Sequence, residues 1–183
     1  MTREEAFQLV NEKINNRNLV KHTLSVESVM RKLSKKFNED TEKWGLSGLL
    51  HDIDYEETKN EPSLHSLKGA EELEKLGVNP DIVYAIKVHN EMHNLPRNSK
   101  LDKALYCADP LTGLIVAAVL VLPDKKLSSL TPDSVLKRFK EKSFAKGANR
   151  EVIKSCEELG LTLEEFVKIG LEAMQEISND LGL

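Results

Sequence analysis

The chain has 183 residues, 40% hydrophobic and 31% charged, with nine glycines, six prolines and few aromatics; this excludes fibrous and disordered classes and fits one domain with a sizeable core. The formal charge of −4 disfavours a binder of nucleic-acid polymers, which neutralises phosphates with clustered Lys and Arg. Cys107 and Cys156 have no Cys-x-x-Cys spacing, which argues against a disulfide framework or a structural zinc knuckle, and the polar start Thr2 to Glu5 differs from a secretory leader, so a cytoplasmic protein is expected.

Helix signals dominate and strand signals are nearly absent, so the fold is expected to be all-α, a compact helical bundle. Thr2-x-x-Glu5 is a capping box that opens a first helix to about Ile14. Leu19 to Phe37 carries Leu19, Val26, Val29, Met30, Leu33 and Phe37 on one stripe, and a third helix is expected from about Asp40 to Ile53. An acidic, turn-rich loop, Asp54 to Pro62, leads to a helix from Ser63 to Leu76 that stops at Gly77. Asn79-Pro80 starts the next helix, to about His93. Leu101 to Leu122 reads as one long helix, whose apolar run from Leu111 is too short to span a bilayer and suits the core. Thr131-Pro132 and Thr162-x-x-Glu165 open the later helices, after a weak linker at Pro123 to Leu130. One domain is expected over 1–183, with its centre at about 19–122 and a helical extension over 123–183.

Several polar residues sit on apolar stripes. His22 lies three residues after Leu19 and four before Val26, so it faces inward. His51 and Asp52 are embedded among Leu46, Leu49, Leu50 and Ile53. Ile82, Ile86, His89 and His93 share a face, as do Leu101, Leu105, Asp109 and Thr112. A single inward histidine is an ordinary hydrogen-bonded core residue. Inward aspartates are costlier to bury, and four helices that each aim a His or Asp at the interior point to a shared cation.

Imidazole nitrogens and carboxylate oxygens without a cysteine favour an open centre holding Mn, Fe, Co or Ni, with Mg or Zn as further choices, in one or two ions. His89-Asn90-Glu91-Met92-His93 is similar to a metalloprotease His-Glu-x-x-His, but Glu91 is roughly 200° round the helix from His89 and cannot work beside it.

The ordered set His22, His51-Asp52 and Asp109, each on its own helix, resembles the HD-domain superfamily of metal-dependent phosphohydrolases, over about Leu19 to Leu122. His65, in His65-Ser66-Leu67-Lys68-Gly69-Ala70, and His89 resemble the extra histidines of its bridged two-metal members. The resemblance implies that His22, His51, Asp52 and Asp109 bind a first metal, that Asp52 bridges, and that His65 and His89 complete a second. The Gly-Tyr-Pro segment of the cyclic-dinucleotide phosphodiesterases is missing after His89, and no lysine follows His51-Asp52 closely.

The expected activity is hydrolysis of a phosphate ester or anhydride in a nucleotide or other small phosphorylated metabolite by metal-activated water, with no membrane or nucleic-acid polymer as partner. Asp52 is expected to orient the water. Lys68, read as one turn on from His65, and Arg97 are candidate phosphate clamps, with a plain surface salt bridge as the alternative role, while Asp54, Glu56 and Glu57 read as solvated loop charges, with a general acid or gate as theirs. Lys125 to Arg150 holds eight Lys/Arg against Asp133 and Glu141, a positive wall suited to a phosphorylated ligand. A di-iron oxygenase on the same scaffold and a regulatory module with a non-catalytic metal are the competing expectations.

Overall fold

The computed structural model describes residues 1–183, which form eleven α-helices joined by short 3-10 turns, with no strand. They are α1 Arg3–Lys13, α2 Arg17–Phe37, α3 Thr41–Leu50, α4 Tyr55–Thr58, α5 Leu67–Lys75, α6 Pro80–His89, α7 Lys100–Leu120, α8 Pro132–Lys140, α9 Arg150–Lys154, α10 Leu163–Glu176 and α11 Ser178–Leu181. Local chemistry sets many of their ends. Thr2 and Thr162 form the expected capping boxes, Asn79 caps α6 with Pro80 behind it, and Gly77 takes the left-handed conformation (φ 70°) after α5. Ser99 and Asp102 form a further capping box at the start of α7 that the sequence reading did not single out.

α2 is the hub and packs against α3, α7 and α10. Val26, Val29, Met30 and Leu33 on its inner face are fully buried, each contributing about 1.5–3 kcal/mol of apolar transfer. Gly48 lets α3 come close: a Cβ there would lie 2.8 Å from the backbone nitrogen of Glu27 on α2. That approach brings His51, at the end of α3, within reach of His22. Glu27 is itself buried and accepts from Arg3 Nε at 2.7 Å and Arg31 Nε at 2.9 Å, which ties α1 to α2.

α7 is long and apolar enough to cross a membrane by length and composition, with a mean hydropathy of 1.5. Its apolar side chains are instead in the protein core, where Leu105, Leu111, Leu114 and Ile115 are fully buried. The helix continues through Pro110. One apolar cluster runs from Ala6 on α1 to Leu181 on α11. The stretch 123–130 is docked rather than free: Leu127 and Leu130 are buried, and Gln175 Nε2 on α10 donates to the Leu127 carbonyl at 2.8 Å.

Three expected helix boundaries differ, and each difference bears on the site. α3 stops at Leu50, and Leu50 to Tyr55 tightens into three-residue turns, with Ile53 N–H to Leu50 O and Tyr55 N–H to Asp52 O. In this turn His51, Asp52, Ile53 and Asp54 are all buried, continuing the buried run of Trp44 to Leu50 on α3. The helix expected from Ser63 begins only at Leu67, because Ser66 takes a left-handed conformation (φ 70°) and its hydroxyl donates to the Lys87 carbonyl at 3.0 Å. α6 ends at His89, so His93 sits on a 3-10 turn rather than on the His89 face; Asn90 stops the helix by capping that turn through Met92 N–H.

Candidate metal centre

Five segments converge: His22 from α2, His51 and Asp52 from the turn after α3, His65 from the turn before α5, His89 from the last residue of α6 and Asp109 from the middle of α7. All six residues meet at one place. His22 Nε2 lies 3.0 Å from Asp109 Oδ1 and 3.7 Å from Asp52 Oδ2, and His51 Nε2 lies 3.5 Å from Asp52 Oδ2 and 3.8 Å from Asp109 Oδ1. On the other side, His65 Nε2 is 3.4 Å and His89 Nε2 is 3.8 Å from Asp52 Oδ1. The two oxygens of Asp52 therefore face different histidine pairs.

Each histidine is oriented from behind. His51 Nδ1 donates to the Gly48 carbonyl at 2.8 Å and His89 Nδ1 to the Ile86 carbonyl at 2.6 Å. His65 Nδ1 donates to Asp54 Oδ1 at 2.8 Å. His22 Nδ1 donates to the Thr112 hydroxyl at 3.2 Å, and that hydroxyl in turn donates to the Asp109 carbonyl. With the proton fixed on Nδ1, all four Nε2 lone pairs point into the centre, which is how metal-binding histidines are held.

His51 Nε2 is buried without any hydrogen-bond partner. Such an orphan is costly unless something accepts its lone pair. A divalent cation would do so, and it would also offset the charge of the buried Asp52 and the partly exposed Asp109 carboxylates. Two donor groups, His22 with His51 and Asp109, and His51 with Asp52 and His89, have their ligand atoms within 4.8 Å of one another. The residues fit a metal, and a donor set of nitrogen and oxygen suits a borderline or hard divalent ion.

The charges of the cluster are shaped by the same contacts. Burial works against the charged form of His22, but the Asp109 carboxylate outweighs it and raises the pKa of the imidazole. Burial opposes ionisation of Asp109 too, yet His22 and its neighbours hold it well below the usual carboxylate range. His65 is likewise raised against its burial by Asp54, and Asp54 is lowered by His65 and the Gly69 N–H. His89 is pushed down to about 4 by burial and then by His51 beside it.

Asp54 and His93 support His65 from outside the cluster. Asp54, expected as a solvated loop charge, is buried, accepts from His65 Nδ1, and accepts the Gly69 N–H at 2.8 Å on its other oxygen. Its position two residues after Asp52 in a chain of acidic residues gave no signal to separate it from Glu56 and Glu57. His93 Nε2 donates to the His65 carbonyl at 2.8 Å, as does Asn90 Nδ2 at 3.1 Å. Lys68 is not brought to the centre: with His65 outside α5 the two do not share a helix face, and Lys68 Nζ pairs with Glu57 at 2.6 Å on the surface. Arg97 stacks on Tyr106 at 3.7 Å from the ring centroid. The Tyr106 hydroxyl donates to Glu91 Oε2 at 3.2 Å, so Glu91 lies at the rim of the cleft and not beside the histidine nitrogens.

The centre opens through a cleft of about 190 Å³ lined by His65, His89, Asn90, Tyr106, Asp109 and Asn149, among others. Ribonuclease Y of Lawsonia intracellularis (strain PHE/MN1-00) is 29% identical over 140 residues, covering 74% of this chain and 26% of the ribonuclease, so the chain spans about a quarter of that relative's length. No solved structure matches. The family model for the HD domain matches residues 19–119, a span that contains all six residues of the cluster, and the chain belongs to the HD-domain family.

Proposed function

We propose that this protein is a metal-dependent phosphohydrolase acting on a nucleotide or another small phosphorylated metabolite, with one or two divalent ions, Mn, Fe, Co or Ni before Mg or Zn, held by His22, His51, Asp52, His65, His89 and Asp109. The HD-domain superfamily comprises metal-dependent phosphohydrolases. The observation that carries the reading is the Asp52 carboxylate, shared between two histidine pairs whose outer nitrogens are all tied back. Divalent cations in such a centre supply water with a pKa lowered to about 7 and neutralise charge on the phosphoryl oxygens.

The chain's own groups prepare that chemistry. Asp109, kept ionised by His22, and His89, neutral above about 4, present free lone pairs at neutral pH. Asp54 keeps the proton of His65 on Nδ1, so that Nε2 stays an electron-pair donor. His51 is fully buried at the floor, and the cleft gives a substrate an approach from the Tyr106 and Asn149 side. A cleft of about 190 Å³ admits a phosphoryl group, whereas whole-ligand pockets run to about 300–1,000 Å³. The rest of a nucleotide would lie outside the inner cleft.

A second reading, hydrolysis of an RNA phosphodiester, is favoured by the likeness to a ribonuclease. Protein purified without chelators is screened on nucleotides, phosphomonoesters and RNA, in air and under argon. Release of phosphate or nucleotide with Mn or Co, abolished in His51→Ala, supports the hydrolase. Turnover that needs oxygen would instead mark an oxygenase, and metal without any turnover a regulatory module.

A further inference from the structure

Outside the span 19–119 that matches the HD domain, α8, α9 and the loop between them pack beside α7 and build a second wall next to the metal centre. This wall lines a groove of about 880 Å³ that includes Lys140, Lys142, Lys146, Asn149 and Lys154. The groove and the inner cleft share Glu91, Gly147 and Asn149, so the two are continuous.

The charges in the groove are mostly uncommitted. Lys154 pairs with Glu151 at 3.4 Å, and Glu91 accepts from Tyr106. Lys140, Lys142 and Lys146 are exposed and have no carboxylate partner. Asn149 caps α9 with its side-chain oxygen, at Glu151 and Val152 N–H, which leaves its amide nitrogen for a ligand. In a chain of net charge −4, three unpaired ammonium groups beside a phosphoryl-sized cleft form a local anion trap.

The loop that presents Lys142 and Lys146 is also held in shape. Arg150 Nη2 donates to the Phe144 carbonyl at 2.6 Å, and Nη1 to the carbonyls of Ala145 at 2.9 Å and Ala148 at 2.6 Å. Ala145 is in the left-handed region (φ 45°), a conformation costly for a residue with a Cβ. Arg150 is thus a positioning residue, its guanidinium fully engaged by backbone.

We propose that the groove carrying Lys140, Lys142 and Lys146 is a subsite for further phosphate groups of the substrate, so that the protein acts on compounds with two or more phosphates in preference to a lone monophosphate. The proposal rests on the phosphohydrolase reading for the position of the reacting phosphate. A nucleoside polyphosphate and a short oligonucleotide both offer this chemistry. They differ in whether the phosphates are contiguous or separated by a nucleoside.

The test compares adenosine monophosphate, adenosine triphosphate and a 5′-phosphorylated RNA trinucleotide, binding to the as-purified chain by calorimetry at two salt concentrations. Wild type is expected to bind the triphosphate or the trinucleotide about tenfold or more tightly than the monophosphate, with an advantage that shrinks as salt rises. The variant Lys140→Ala/Lys142→Ala/Lys146→Ala is expected to lose that advantage and leave monophosphate binding unchanged. Which of the two longer probes is preferred identifies the source of the extra phosphates. Equal binding of all three by wild type, or a preference that survives in the variant, overturns the subsite. Phosphate release measured on the same samples tests the hydrolase reading separately.

Discussion

Asp54 aims His65: its Oδ1 accepts the Nδ1 proton at 2.8 Å, which turns Nε2 towards Asp52 Oδ1, 3.4 Å away. The other Asp54 oxygen holds the Gly69 N–H at 2.8 Å and so fixes the start of α5. A carboxylate behind a metal-binding histidine sets both its tautomer and its basicity. Replacement Asp54→Ala is therefore expected to lower metal affinity about 10–100-fold, read by competition with a chromogenic chelator. Glu57→Ala, in the same acidic segment but paired only with exposed Lys68, is the control and should behave as wild type. Equal affinities in the two variants would remove the supporting role of Asp54.

Gly48 sets the distance between α2 and α3. In Gly48→Ala the new Cβ meets backbone of Glu27 and Val26 within 2.8–2.9 Å, and backbone cannot swing away as a side-chain tip does. Destabilisation of about 1–3 kcal/mol is expected in urea unfolding, together with reduced metal occupancy, because His51 and His22 are carried by the two helices being pushed apart. Occupancy equal to wild type would show that the centre tolerates the shift.

Proton competition gives metal loading a defined pH dependence. Metal binds the neutral imidazole, and His22 and His65 both have raised pKa values, owing to Asp109 and Asp54 against the effect of burial. Loading should therefore begin to fall above the ordinary histidine value of about 6.5 as pH is lowered. His89, at about 4, takes no part until much lower pH. The stability of the chelator-treated protein runs the other way. The raised His22 and His65 contribute stability that is fully present below the unfolded pKa and is lost as pH rises through the folded values. Thermal midpoints measured with and without metal across pH 5 to 9 should diverge as pH rises, and parallel curves would contradict the assignment.

Lys68 separates the sequence reading from the geometry. The sequence placed it one turn from His65 as a phosphate clamp, but its amine pairs with Glu57 at the surface, where ion pairs count for little. Lys68→Ala is expected to keep wild-type turnover and thermal midpoint. A selective loss of turnover would bring the residue back to the substrate.

What was legible in the sequence was the chemistry fixed by short-range rules. Capping boxes at Thr2 and Thr162, the Asn79-Pro80 start and the Gly77 stop depend on neighbours within a few residues. The inward faces of α2 and α7 followed from helical periodicity, which aimed His22 and Asp109 correctly. The supporting layer was not legible, because tertiary contacts decide it. Ser66 leaves the helix to reach the Lys87 carbonyl, His93 leaves α6 to hold the His65 carbonyl, and Asp54 is buried while Glu56 and Glu57 are not. Pattern alone gives these residues no distinguishing mark.

Metal content of the chain purified without chelators, measured by elemental analysis for wild type and Asp52→Asn, probes the shared carboxylate most directly. A centre bridged by Asp52 predicts close to two divalent ions per wild-type chain and a marked loss in the variant, whose helical signature should be unchanged. A wild-type chain that retains no ion, and takes up none from Mn, Fe, Co or Ni, would contradict it.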